Sequence, residues 1–577
     1  MIFNLFSPKK NVSKFFFLVL FAFYFLVSTM IDPLWFTNSK GYIDAWIYWG
    51  AGDNPSLSYQ NDFARTYYLQ RYVVVIPKMF AFALFGSFWG QLVVGLFWLS
   101  IAFYYLYKIS KKHIGRWPAF LLVLIFMSDP VLLGAFGSSY TMGPTIALYC
   151  MYFFHIIEIS PDKLKDQNVR SVIFAAIAVA CLSNAYLSHG LITSGISFLY
   201  LFYTKALSRR EFSKYFLFTV VLISAGFQLI YFFISGDWIP FVLKQLYFGS
   251  SLATSQNPYG SNGFLDFWSN ILSSQLNYYW LAIVVSYIFL TFYLFTRGLF
   301  KFLKVIYLTS ISLLFAYLAQ TLLYTNIFGY IWSACGLYIL KFFTLLFLVL
   351  ILKSILSERV IVSFLSVVIL LVLLIDGFPG LIASPRFIVA GFLIIATLLI
   401  LLLGSVFVES FTNRDTKELF TIGVVSCLIL GLPTFSHAQD FRQYAVPFEG
   451  SFREANSEYA KLTQQRSLVL KISKSIQPTP RSWFTPDSGV PLVSSQLFLY
   501  SMISDVPEKA NCSQVDWAQN YSSLIYSFGP KDLSSTDVTK LYLAECGYKA
   551  IDLPLSPNLA KELKGTGGKV WLLRPRE

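Results

Sequence analysis

About thirteen apolar runs of membrane-spanning length, beginning near Lys14 and ending near Phe435, constrain this chain more than any other feature. A hydrocarbon core of ~30 Å takes about 20 apolar residues of helix, so each run reads as one crossing. The expected spans are 14–31, 88–108, 117–136, 139–157, 171–187, 190–207, 214–235, 277–297, 304–324, 332–352, 359–377, 387–408 and 419–435. The fold class this predicts is an all-α polytopic membrane bundle of about 13 transmembrane helices over residues 1–435, followed by a small α/β domain over 436–577. Two loops on one side are long, 32–87 and 236–277. Within the first, Tyr72 to Phe85 is apolar but too short to cross, and Arg71 and Lys78 interrupt it, which suits a helix lying along the interface.

Composition agrees. Hydrophobic residues make 56% of the chain and charged residues 13%, against roughly 25% charged in an ordinary soluble domain. The formal charge of +14 raises the question of nucleic acid, but its distribution answers it. The tail after Ser436 is nearly neutral, with 16 basic and 14 acidic residues. Lys and Arg number 21 in the seven short loops on the side of the N-terminus and six in the opposite loops. That is the positive-inside pattern, which predicts a cytoplasmic N-terminus, an extracytoplasmic tail and an inner-membrane location. Charge spread over seven loops makes no nucleic-acid face. The segment Phe15 to Ile31 reads as an uncleaved first span, since no small-x-small cleavage site follows it.

The tail carries amphipathic helix signals at Glu454 to Ile476 and Val493 to Ile503, and strand-like runs at Ala550 to Leu553 and Lys569 to Leu573. Its cysteines, Cys512 and Cys546, are the expected disulfide pair if the tail meets an oxidising compartment. The other four lie in or beside apolar runs, where a thiol is usually a small core hydrophobe. No Cys/His cluster has metal-ligand spacing, and there is no Walker loop, dinucleotide fingerprint or nucleophile elbow.

Loop one concentrates polar chemistry: Asp44-Ala-Trp-Ile-Tyr-Trp-Gly, then Asp53, Asp62, Arg65, Tyr67-Tyr68 and Arg71. A carboxylate there could deprotonate a hydroxyl or hold a divalent cation (Mg or Mn), and an arginine could grip phosphate with a planar fork. The plain alternative is a solvated loop that contains charges. A span, an acidic loop, then Tyr68-x-x-Arg71 leading through Ile76-Pro77 to Leu84-Phe85-Gly86 and a second span resembles the GT-C membrane glycosyltransferases, notably the protein mannosyltransferases and bacterial aminoarabinose transferases. The resemblance implies transfer of a sugar from a polyprenyl-phosphate lipid to a glycan, lipid or protein acceptor at the outer face, with Asp44 as base or metal contact. Asp44 is followed by Ala45 where the mannosyltransferases carry an Asp-Glu pair, and the next outer hairpin, Gly137-Ser-Ser-Tyr-Thr-Met-Gly, has no second carboxylate.

Besides Asp44, with Asp53 as its substitute, the candidate residues are cations and their neighbours. Arg71 and Tyr68 lead as phosphate contacts, and membrane-lipid snorkelling is the alternative for Arg71. His189, in the hairpin Leu187-Ser-His-Gly, is either a polar contact or a solvated turn histidine. Arg386 follows Ser384-Pro385 at the outer start of the twelfth span. Lys341 lies ~16 Å deep if its span begins at Tyr330, and near the surface if the helix begins near Cys335, the arrangement favoured here. Two other function classes remain open: a catalytically silent scaffold with an outer interaction domain, and a lipid-linked saccharide transporter or polymerase.

The orientation is checked by a single cysteine introduced at Ser556. An impermeant maleimide added to intact cells is expected to label it, and labelling only after lysis would reverse the whole topology.

Overall fold

The computed structural model describes residues 48, 50–52, 55, 68–127, 130–137, 140–203, 207–235, 239–240, 243, 283, 287–288, 290–292, 294, 335–353, 357, 360–362 and 365–366, and in the tail 468, 471–472, 482–484, 523–528, 544, 547–565 and 568–575. The chain forms two compact units. One comprises Met1–Trp35, Arg71–Val74 and Val93–Gln443, and the other Phe36–Gln70, Val75–Leu92 and Tyr444–Glu577.

The first described helix, α1, runs Tyr72–Ile114 and is interrupted at Gly86. Its opening Val73-Val74-Val75-Ile76 is a β-branched run that propensity alone would not make helical, but Val74 and Val75 are fully buried, and packing overrides so weak a preference. At Gly86 the backbone has φ 77 and ψ 165, a region essentially closed to residues with a Cβ. The break separates the short apolar segment Tyr72–Gly86 from a span at Trp89–Ile114. Gly90 permits close packing beside it, since a Cβ there would fall 2.8 Å from the Ala81 carbonyl oxygen.

Next come α2 (Arg116–Met127), α3 (Pro130–Gly137), α4 (Met142–Ile157), α5 (Lys165–Ala185), α6 (Leu187–Tyr203) and α7 (Arg209–Ser235). Within the span expected at 117–136, the described residues are helical over Arg116–Met127 and Pro130–Gly137. Among the described residues, three helices are long and apolar enough to cross a membrane: Trp89–Ile114, Lys165–Ala185 and Arg209–Phe233. A further described helix of the bundle, α8, is Cys335–Lys353.

Two devices hold these helices together. Helix α5 buries Ala175, Ala176, Ala178, Ala180 and Ala185, small side chains that let α4 and α7 approach closely without a hydrophobic driving force. Helices α4 and α6 are joined by hydroxyls. Tyr152 donates to the Thr193 carbonyl at 2.9 Å and lies 2.9 Å from the Ser197 hydroxyl, while Tyr200 donates to the Ile159 carbonyl at 2.9 Å. Aromatic packing seats α8, with Phe342 edge-on to Phe126 at 5.4 Å and Phe343 edge-on to Phe153 at 5.8 Å.

At the end of the bundle holding the C-terminus of α1, charges tie helix ends together. Glu158 pairs with both Lys112 and Lys163, Lys165 pairs with Glu211, and Lys353 donates to the His113 carbonyl at 3.0 Å. Helix α7 begins with a capping box, in which the Glu211 N–H reaches the Ser208 hydroxyl at 3.2 Å and the Ser208 N–H reaches the Glu211 carboxylate at 3.4 Å.

In the tail, β1 (Ser482–Phe484), β2 (Ser523–Phe528), β3 (Tyr548–Asp552) and β4 (Gly568–Pro575) form one sheet in the order β1-β2-β4-β3. Strand β1 runs parallel to β2, and β4 is antiparallel to both neighbours, placing Trp571 opposite Ile525 and Asp552. Helix α9, Pro557–Gly565, lies between β3 and β4 in sequence. Pro557 begins it after Ser556, whose hydroxyl accepts from the Leu559 N–H at 3.5 Å. The run expected as a strand at Lys569 to Leu573 lies within β4, and the one at Ala550 to Leu553 overlaps β3 as far as Asp552. Strands β1 and β2 and helix α9 were not anticipated. Of the expected helix 454–476, positions 468, 471 and 472 are helical, and 493–503 lies outside the described residues.

Gly86→Ala is expected to destabilise the protein by about 1–3 kcal/mol, because the alanine would have to hold a glycine conformation. A fall in the thermal midpoint of the purified chain in detergent checks it, and an unchanged midpoint would mean that the kink relaxes.

Candidate functional site

Arg71 immediately precedes α1, and the first turn of that helix is anchored from outside. The Val73 N–H, a donor with no intrahelical acceptor, reaches the Asn184 carboxamide oxygen at 3.1 Å. Tyr72 stacks on Phe227 of α7 at 6.2 Å. These contacts hold the Arg71 guanidinium over the Tyr186 ring, 4.7 Å from its centroid, with Arg71 only 5% exposed. A cation over an aromatic face is attracted by the ring, and the planar fork of a guanidinium is the shape that matches an oxyanion.

Tyr186 is the junction. It is the extended residue between α5 and α6, with φ −158 and ψ 112. Its hydroxyl is 3.1 Å from that of Tyr140, in the turn before α4. Its ring lies 5.3 Å from the imidazole of His189, whose Nδ1 is hydrogen-bonded at 3.0 Å to the Tyr149 hydroxyl of α4. Arg71 and His189 are therefore brought together through one tyrosine. Three connections that the sequence assigns to the outer side meet there: the end of loop one, the turn before α4 and the turn before α6.

His189 needs a correction. The hairpin expected at Ser188-His-Gly begins at Tyr186, and His189 is fully buried in the first turn of α6. Gly190 allows close packing there and does not form the turn, since a Cβ on it would fall 2.6 Å from Ser183 Cα. A solvated turn histidine is thus excluded.

The second unit holds another cluster. A helical turn at 48 and 50–52 packs on the segment after Val75, with Lys78 5.4 Å from the centroid of the Tyr48 ring. Gly52 makes the approach possible, as a Cβ there would meet Lys78 Cβ at 3.1 Å and the Phe82 ring at 2.9 Å. Tyr68, 7% exposed, lies edge-on to Tyr48 at 5.8 Å. Lys78 is 1% exposed, and this burial holds its ammonium well below the usual lysine range. The sequence reading noted Lys78 only as an interruption of an apolar segment. Its spacing carries no signal, because the packing of the 48–52 turn is what buries it.

Lys341, on the second turn of the described α8, is 5% exposed. Asp44, Asp53, Arg386, Cys512 and Cys546 lie outside the described residues. Among the described residues Cys150, Cys181 and Cys335 are free thiols, and no group of three or more His, Cys, Asp or Glu could hold a metal ion.

No protein-family profile matches the chain. No curated protein matches it either. Among solved structures, the chain is similar to ArnT from Cupriavidus metallidurans bound to undecaprenyl phosphate, at 11% identity over 98% of each chain with a TM-score of 0.50. The same enzyme in the apo state aligns at 11% identity over 98% of each chain, with a TM-score of 0.48. In fold, the chain resembles an aminoarabinose transferase of the GT-C type. At this identity the likeness concerns the path of the chain, and the side chains of the Arg71–Tyr186–His189 cluster stand on their own geometry.

Asn184→Leu is expected to cost about 1–3 kcal/mol, because it strands the Val73 N–H in a buried setting. Hydrogen exchange at Val73 should accelerate in this variant more than at amides in the middle of α5. Equal protection at Val73 in both proteins would show that Asn184 does not hold the start of α1.

Proposed function

We propose that the protein is a glycosyltransferase that takes a sugar from a polyprenyl-phosphate lipid at the outer face of the cytoplasmic membrane and places it on a cell-envelope glycan, lipid or protein. The observation that carries this reading is the buried Arg71 guanidinium over the ring of Tyr186, which lies beside His189, in a chain similar in fold to a GT-C transferase. That relative was crystallised with undecaprenyl phosphate, and a lipid phosphate of this kind is the donor leaving group proposed here.

In the proposed reaction the Asp44 carboxylate takes the proton from an acceptor hydroxyl. The hydroxyl oxygen attacks the anomeric carbon, the bond from that carbon to the phosphate oxygen breaks, and polyprenyl phosphate leaves with the bonding pair. Configuration inverts in this single displacement. Arg71 stabilises the charge on the departing phosphate with its two-point fork, and Tyr186 and His189 hold that guanidinium in place. Lys78 is a second candidate cation. Asp53 is the replacement base if Asp44 is not the one. No step is assigned to a metal.

The test separates binding from chemistry. Undecaprenyl phosphate is titrated onto the purified full chain and followed by native mass spectrometry, and sugar transfer is followed from a lipid-linked donor pool. Arg71→Lys is expected to weaken lipid-phosphate binding roughly tenfold, since an ammonium cannot reproduce the planar grip. Asp44→Asn should keep binding and abolish transfer. Full binding in Arg71→Ala would move the phosphate role to Lys78, His189, Lys341 or Arg386. Undiminished turnover in Asp44→Asn would move the base to Asp53.

A further inference from the structure

The basic residues at the C-terminal end of α1 fall into two sets. Lys112, Lys163 and Lys353 are engaged in tying helix ends, to Glu158 and to the His113 carbonyl. Lys108 and Lys111 are exposed and form no salt bridge among the described residues. They are three apart on the helix and so share a face. Each folds back toward the helix N-terminus over a tyrosine one turn earlier, Lys108 5.4 Å from the Tyr104 ring centroid and Lys111 5.9 Å from that of Tyr107.

The corner after α1 adds to this face. Gly115, at φ 91, turns the chain into α2, and Arg116 there sits 5.8 Å from the centroid of the Trp117 ring. A chain of rings connects the two helices, Tyr107 to Phe103 at 6.2 Å, Phe103 to Phe120 at 5.8 Å and Phe120 to Trp117 at 6.5 Å. Tyr104 and Trp117 are 40% and 46% exposed, as rings at a lipid boundary would be.

Depth decides what such a face meets. The span Trp89–Ile114 has 26 residues, while a hydrocarbon core takes about 20, so a count from Trp89 reaches the headgroup layer near Lys108. Three cations at headgroup depth, above aromatic rings at the acyl boundary, match a phosphodiester with two acyl chains. We propose that Lys108, Lys111 and Arg116, with Tyr104, Tyr107 and Trp117, form a binding site for an anionic phospholipid of the leaflet at this end of the bundle, read as cytoplasmic. The cations hold the phosphate and the rings pack against the upper acyl chains. The site is independent of the transferase reading and lies at the opposite end of the bundle from Arg71.

Native mass spectrometry of the purified full chain, titrated with phosphatidylglycerol, phosphatidylcholine or undecaprenyl phosphate, tests this. The wild type is expected to retain phosphatidylglycerol over phosphatidylcholine. Lys108→Gln/Lys111→Gln/Arg116→Gln should weaken phosphatidylglycerol binding on the order of a hundredfold, at about a tenfold or smaller step per charge. The single variants Lys108→Gln and Lys111→Gln, exposed positions that leave the fold intact, should each show a partial loss. Arg209→Gln/Arg210→Gln, removing two exposed cations elsewhere on the same side, should change little. Equal losses in that control and in the triple variant would overturn the proposal in favour of diffuse surface charge. It also fails if millimolar inorganic phosphate displaces the lipid completely, or if undecaprenyl phosphate binds this face in place of phosphatidylglycerol.

Discussion

A helix that begins inside a bundle brings N–H groups with no partner of their own, and the rest of this site depends on how α1 solves that problem. Asn184, the penultimate residue of α5, accepts the Val73 N–H, and Tyr186, just past the end of the same helix, carries the Arg71 guanidinium. One helix terminus thus does two things for another. It satisfies a buried donor, and it orients the charged side chain that precedes α1. A guanidinium is tolerated at such burial because an aromatic face and fixed dipoles replace part of its water.

The surrounding bundle makes that terminus rigid. Tyr186 is held by the Tyr140 hydroxyl on one side and by the His189–Tyr149 pair on the other, and the hydroxyl contacts of Tyr152 and Tyr200 continue the α4–α6 seam toward the opposite end. In a bilayer, where water does not compete, such contacts specify which helix faces which, although each contributes only about 0.6–2 kcal/mol. At the far end, charges take over the same task through Glu158 and Lys353.

Much of the architecture was legible in the sequence, because apolar length and loop charge are one-dimensional signals. The short segment Tyr72–Gly86, the span that follows it and the strands β3 and β4 fall close to where patterning places them. Patterning failed at His189. A Ser-His-Gly sequence looks like a turn, yet here the glycine serves helix packing against Ser183.

The sequence by itself determined that this chain is a membrane bundle with a nearly neutral tail, and that Arg71 and His189 were residues to watch. Those conclusions follow from composition, run length and residue chemistry, which need no partner in space. Tertiary structure alone decided that Arg71 and His189 share Tyr186, that Lys78 is buried under Tyr48, and that Lys108 and Lys111 stay outside the ion pairs of the helix ends. Each of those facts is a contact between segments far apart in the chain or a choice among competing partners. Burial and pairing are properties of an environment, and that environment exists only once the helices have packed.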